Sequence, residues 1–161
     1  PSLPTLPTPL ALSTATTLGQ LADETPDVMT LHTQDAFRMF TGRAADSQTK
    51  APAIPGGRRF AAVLKSIWYL SANDNPYADW ILIRVYQSLV TIRAQMAQAI
   101  CVREAEFEGL RRKGLSLSVL SSRSPATVAL GFRSPYGYAT AEAIVEFDYH
   151  VRMVKTLVLK D

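Results

Sequence analysis

From Tyr77 to Glu108 the chain contains neither proline nor glycine, and its apolar side chains recur there every three or four residues. Ile81, Val85, Leu89, Ile92, Met96, Ala99, Phe107 and Leu110, with Arg103 in register, keep a mean spacing close to the ~3.6 residues of an α-helical turn. Asn75 is placed to act as N-cap, and Pro76 suits the first helical position, where no amide donor is missed. Asp79 falls in the first turn, near the positive end of the helix dipole. A helix is therefore predicted from Pro76 to about Lys113, with Gly114 as its stop. It would be roughly 55 Å long, wider than a small domain, so part of it is expected to project or to pack on a second subunit.

The remaining elements are shorter. Val28–His32 is a strand candidate with Met29 and Leu31 on one face and Val28, Thr30 and His32 on the other. Thr33 can cap a short helix over Gln34–Phe40 that Gly42 ends. Residues 43–58 form a polar loop rich in proline and glycine. A helix over Arg59–Ala72 offers a wide apolar face that includes Phe60, Val63, Leu64 and Trp68.

After the long helix, Leu115–Val119 and Thr127–Phe132 alternate apolar with small or polar residues. The link Ser121-Ser122-Arg123-Ser124-Pro125 is turn chemistry, so the two runs are expected to pair as an antiparallel hairpin over 115–132. Residues 133–138 read as a turn, and Thr140 as the cap of a last helix from Ala141 to about Leu159. Ile144, Phe147, Val151, Val154 and Val158 make one seam on it, favouring a core face over a dimer seam. The fold class is α+β: a long helix and shorter helices on a small antiparallel sheet, the hairpin 115–132 with strand 28–32 as a third member. Residues 1–26, with Pro1, Pro4, Pro7 and Pro9, are expected to form a flexible arm ahead of one domain over 27–161.

A chain of 161 residues, 47% hydrophobic and 19% charged, can build one core without staples. Cys101 is the only cysteine, so no disulfide within the chain is expected, which fits a reducing compartment. The opening residues have no basic segment and no continuous apolar run, so no secretory signal is read there. No stretch reaches the roughly 18 apolar residues of a membrane span. A cytoplasmic protein with no membrane partner is the expectation.

His32 and His150 lack neighbours at metal-ligand spacing, and no nucleophile elbow, phosphate loop or dinucleotide fingerprint is present. Glu104, Glu106 and Glu108 do not converge as a catalytic pair. No catalytic residue, metal, cofactor or small-molecule substrate is expected, and the chain is read as no enzyme. Net charge is +3. The basic residues fall into Arg58-Arg59, the dense Arg111-Arg112-Lys113, and Arg123 with Arg133 in the hairpin region. Two readings stay open: cations gripping phosphates beside a ribbon that reads a groove, or a solubilising surface.

Three motif sets, in order, resemble the AcaB-like family of DNA-binding transcriptional regulators found on conjugative elements. They are Leu31-His32-Thr33 with Phe40-Thr41-Gly42-Arg43; Asn75-Pro76-Tyr77-Ala78-Asp79-Trp80; and Phe132-Arg133-Ser134-Pro135-Tyr136-Gly137-Tyr138. Together they cover about 28–160. The resemblance implies regulation of conjugative transfer genes through a ribbon-helix-helix-like unit, in which strands pair across a homodimer and enter promoter double-stranded DNA. Thr30 and His32, or alternatively Ser116 and Ser118 with Arg123, would read the groove, while Arg111, Arg112 and Lys113 contact phosphate and Arg123 and Arg133 flank them. The alternative is a non-DNA-binding interaction module of the conjugative machinery that docks through the long and last helices.

Overall fold

The computed structural model describes residues 25–45, 48 and 51–160. The arm expected over 1–26 therefore lies, except for its last two residues, outside the described residues. The elements are β1 (Val28–Leu31), α1 (Gln34–Thr41), β2 (Gly42–Arg43), β3 (Ile54–Pro55), α2 (Gly57–Ser71), α3 (Pro76–Arg112), β4 (Ala126–Ala129) and α4 (Pro135–Lys160).

α3 forms over the span its sequence predicts. The Asn75 side chain accepts from the amides of Tyr77 and Ala78 at 3.1 and 3.2 Å, and Lys113 caps the other end. α2, α3 and α4 pack on one another, and α1 lies against α2 and α4. The described core sits where β1, α1, α2 and α4 meet, not along α3. Met29, Leu31, Ala36, Phe40, Ala61, Phe132, Ala141 and Ile144 form it, with Val128, Leu130 and Phe147 against its edge. At ~1.5–3 kcal/mol for each large apolar side chain buried, this cluster anchors the fold.

The α+β layout matches the sequence reading, but the sheet is paired differently. The expected hairpin of 115–119 with 127–132 does not form. β4 pairs antiparallel with β1 instead, Thr30 opposite Thr127 and Met29 opposite Val128. Residues 115–120 carry no strand, and backbone groups of Ser118 and Leu120 are met by side chains of α4. The Leu120 amide donates to Thr156 Oγ1 at 2.8 Å, and its carbonyl accepts from Arg152 Nε at 2.6 Å. Lys160 Nζ donates to the Ser118 carbonyl at 3.2 Å, and the Ser122 amide donates to His32 Nδ1 at 3.2 Å. The segment runs along α4, which supplies partners that a sister strand would otherwise supply.

The last helix also begins earlier than expected, at Pro135 rather than Ala141. Ser134 caps it, its side chain accepting from the Gly137 amide at 3.2 Å, and Pro135 takes the first helical position. Gly137, which reads as a turn residue, is helical, and Phe132 fills the space of its missing side chain. A Cβ there would lie 2.4 Å from Phe132 Cδ2. Thr140 is not a cap: its hydroxyl donates back to the Tyr136 carbonyl at 2.8 Å inside the helix. The α4 seam is buried at Ile144, but Val158 is 75% exposed, and Asp148, Met153 and Thr156 take buried places instead.

Loop 43–58 is clamped at its ends by the β2–β3 pair, Gly42 opposite Pro55 and Arg43 opposite Ile54. Gly42 has φ +80°, and a Cβ on it would stand 2.5 Å from the Gly56 amide nitrogen. Only glycines allow the backbones to cross this closely. The crossing joins the end of α1 to the start of α2, two residues earlier than the predicted Arg59, so β1, α1 and α2 follow one another as strand, helix, helix.

Candidate nucleic-acid interface

β1 and β4 form a two-stranded ribbon with one buried and one open face. Met29 and Leu31 point into the core, while Val28, Thr30, Thr127 and Ala129 face solvent. The side chains alternate because successive residues of a strand point to opposite faces. The Leu130 amide extends the ladder by one bond, donating to the Asp27 carbonyl at 2.7 Å. The open face thus presents two threonines directly opposite each other, bordered by small or branched apolar residues. An antiparallel ribbon of two strands is one of the shapes that fit the DNA major groove.

The structure divides the sequence-predicted residues between two places. Thr30 lies on the open ribbon face. Arg123, exposed, follows Ser122, whose amide is held by His32, so it stands at the Leu31–Ala126 end of the ribbon. Arg133, also exposed, leaves β4 at the opposite end, in a shallow recess shared with Asp27, Leu130 and Tyr138. Tyr138 hydrogen-bonds Asp27 and meets Phe132 edge to face, with ring centroids 6.2 Å apart.

His32 shares this neighbourhood but faces inward. Its Nδ1 accepts from the Ser122 amide, and its own amide donates to Asp148 Oδ1 at 3.1 Å. It positions the segment that carries Arg123.

Arg111, Arg112 and Lys113 stand elsewhere, at the end of α3. Arg111 and Arg112 lie 3.6 and 3.5 Å from the Glu108 carboxylate, which partly offsets their charge. Lys113 lines a groove with Leu115, Leu117, Leu157 and Lys160, at the C-terminal end of α4. Ser116 and Ser118 are exposed near that end, off the ribbon. Along α4, Leu157 is roughly 13 Å from Asp148, beneath the ribbon.

Two residues at this site, Thr127 and Asp148, are not among the contacts expected from the sequence. Thr127 faces Thr30 only once β1 and β4 pair, and local alternation cannot specify that partner. Asp148 lies beneath the turn from β1 into α1. It is 2% exposed and accepts from the amides of His32 and Thr33 and from the Thr33 hydroxyl. A carboxylate inside the apolar run of α4 was its available signal, because a buried charge needs donors.

Ion pairs tie the supporting helices. Lys155 donates to Asp35 at 2.7 Å, joining α4 to α1, and this hydrogen bond and its charge hold the Asp35 carboxyl below its usual value. Arg93 of α3 reaches Glu142 and Glu146 of α4 at 2.6 and 2.7 Å. The hydrogen bond to Glu146 raises the Arg93 pKa, against the opposing effect of burial. Among the described residues there is no group of three or more His, Cys, Asp or Glu suited to a metal, and no helix is long and apolar enough to cross a membrane.

A family model described as Transcriptional regulator AcaB matches residues 17–160. No curated protein and no solved structure matches the chain.

Proposed function

The chain belongs to the AcaB family of transcriptional regulators, and from that premise we propose that it binds promoter double-stranded DNA through the open face of the β1–β4 ribbon. The observation that carries this reading is Thr30 directly opposite Thr127 on that face, with Arg123 at one end of the ribbon and Arg133 at the other. Hydroxyls can contact base edges, while arginines on either side hold the backbone and set the register. Arg111, Arg112 and Lys113 serve as a more distant phosphate contact. His32 acts by positioning Ser122 and Arg123, not by touching a base.

In this reading residues 27–161 are the functional unit, a cytoplasmic homodimer that regulates transfer genes of a conjugative element. The setting comes from the motif resemblance. The chemistry assigned to the chain is recognition, with no catalytic step.

The test is fluorescence anisotropy on promoter fragments from the host element across a salt series. The expected result is specific binding whose log affinity falls linearly with log salt, by about 0.9 for each phosphate neutralised. Binding by a Thr30→Ala/Thr127→Ala variant with unchanged affinity and sequence preference would overturn the ribbon assignment. The second reading, a protein-interaction module that docks through α3 and α4, draws on the exposed apolar residues of those helices, Tyr77, Val158 and Leu159 among them. Absence of any specific DNA complex, with a stable complex with a transfer-machinery protein, would favour it.

A further inference from the structure

We propose that the outward face of α3 is the homodimer interface and that two α3 helices pair across it in antiparallel orientation. The proposal deepens the homodimer reading above and rests on it, but not on DNA binding.

α3 packs on its own chain through Ala78, Leu82 and Leu89. Its opposite side carries Trp80, Ile83, Gln87, Val90, Ala94, Ala97 and Cys101, all exposed. Their spacing alternates three and four throughout, which is the a/d pattern of a helix that pairs with another helix. This seam is distinct from the buried face and runs about 32 Å along the helix. Soluble monomers rarely leave an uncharged, mostly apolar stripe of this length open.

The charge on this stretch excludes a strongly charged occupant. Between Trp80 and Val102 the charged residues of α3 are Arg84 and Arg93. The Arg84 guanidinium lies over the Trp80 ring, 4.9 Å from its centroid, and Arg93 turns to α4. Neither nucleic acid nor an acidic or basic peptide is matched by such a face. A second copy is, because the same uncharged 3–4 stripe is self-complementary across a two-fold axis.

The area is adequate. Trp80, on the stripe, and Tyr86, at its flank, are 58% and 60% exposed. At ~150–250 Å² for each aromatic side chain, these two expose roughly 240 Å². That is close to a third of the ~800 Å² per partner in a standard interface, before the aliphatic residues are counted.

Side-chain size selects the direction. The N-terminal half of the stripe is bulky, with Trp80, Ile83 and Val90, and the C-terminal half is small, with Ala94, Ala97 and Cys101. Parallel pairing would set bulky on bulky at one end and small on small at the other, splaying the helices. Antiparallel pairing about a two-fold axis at the level of Ile92 sets Ile83 against Cys101 of the second copy, Gln87 against Ala97 and Val90 against Ala94. Large then meets small in these three layers, and the axes keep one separation, while Trp80 falls against Glu104 of the second copy at either end, where the pair opens to solvent.

The experiment uses the full chain without DNA. Sedimentation equilibrium is expected to show a dimer, and Ile83→Glu/Val90→Glu, with helix content unchanged by circular dichroism, to weaken self-association on the order of a hundredfold. Under mild oxidation Ile83→Cys is expected to form a disulfide-linked dimer with the native Cys101 of the second copy. The parent chain is expected not to, because antiparallel pairing holds the two Cys101 residues roughly 27 Å apart. A chain that stays monomeric at all concentrations would overturn both the homodimer reading and this interface. Three results would overturn the interface alone: a dimer indifferent to the glutamate variant, a parent chain that cross-links through Cys101, or an Ile83→Cys chain that does not cross-link.

Discussion

Thr33 donates its hydroxyl hydrogen to Asp148 at 2.7 Å, and the same oxygen accepts the amide hydrogen of Ala36 at 3.2 Å. One side chain therefore caps α1 and ties it to α4, across 115 residues of sequence. Asp148 gathers two further donors there, the amides of His32 and Thr33. The turn that follows the ribbon depends on a single buried carboxylate.

Asp148→Ala leaves those donors unmet in a closed site and is expected to destabilise the fold by about 3 kcal/mol. Asp148→Asn keeps an oxygen acceptor in place and should lose only about 1 kcal/mol. Urea denaturation of the three proteins checks the order. Equal losses in the two variants would mean that the acceptor geometry is not what holds the turn.

Arg123 and the 111–113 cluster are expected to separate in DNA binding. Arg123→Ala should lower affinity on the order of tenfold and reduce the salt slope by about one. Replacing Arg111, Arg112 and Lys113 together by alanine should weaken binding to all sequences alike, without changing preference. If the triple variant binds as tightly as the parent, that cluster is a solubilising surface.

Glycine to alanine should act with opposite signs at two helical positions. At Gly137 the new Cβ meets Phe132 at 2.4 Å, and a loss of about 1–3 kcal/mol is expected from overpacking. At Gly109 nothing lies within 4 Å, and a gain of about 0.5–1 kcal/mol is expected from helix propensity. Thermal melts of both variants measure the contrast.

Arg93→Met keeps the packing of the stem and removes the contacts to Glu142 and Glu146. The pairs are partly solvated, so a loss of about 1 kcal/mol is expected, larger at low salt than at high salt. Stability measured at two ionic strengths tests it, and a loss independent of salt would argue against an electrostatic tie.

The Asp35–Lys155 contact should be pH-dependent. The folded-state pKa of Asp35 is depressed below the ordinary aspartate value by Lys155, so the contact stabilises the fold above that ordinary value. The contribution disappears as pH falls through the lower, folded-state value. Asp35→Asn should therefore melt below the parent at neutral pH, and the difference should close in strong acid. A difference that persists there would rule out the ionised pair as its source.

The helices were legible wherever their signals are local. Asn75 and Pro76 announce the start of α3, and Thr33 announces α1, because a cap acts on amides two or three residues away. The start of α4 was hidden because Pro135 and Gly137 have the chemistry of a turn, and the close approach of Phe132 that suits a glycine there is a tertiary contact. The site was half legible. Thr30 and Arg123 could be named from residue type, but Thr127 became its partner only through register.

By itself the sequence determined α1, α3 and the face that β1 buries, since each follows from caps and spacing within a few turns. Tertiary structure decided which strand pairs with which. Residues 115–119 and β4 are both alternating runs, and either could extend a ladder. Arg152, Thr156 and Lys160 of α4 hold the first run and its end through Ser118 and Leu120, and the other is left to β1. A strand's partner depends on what else can meet its hydrogen bonds, and here those groups lie more than thirty residues away in the chain.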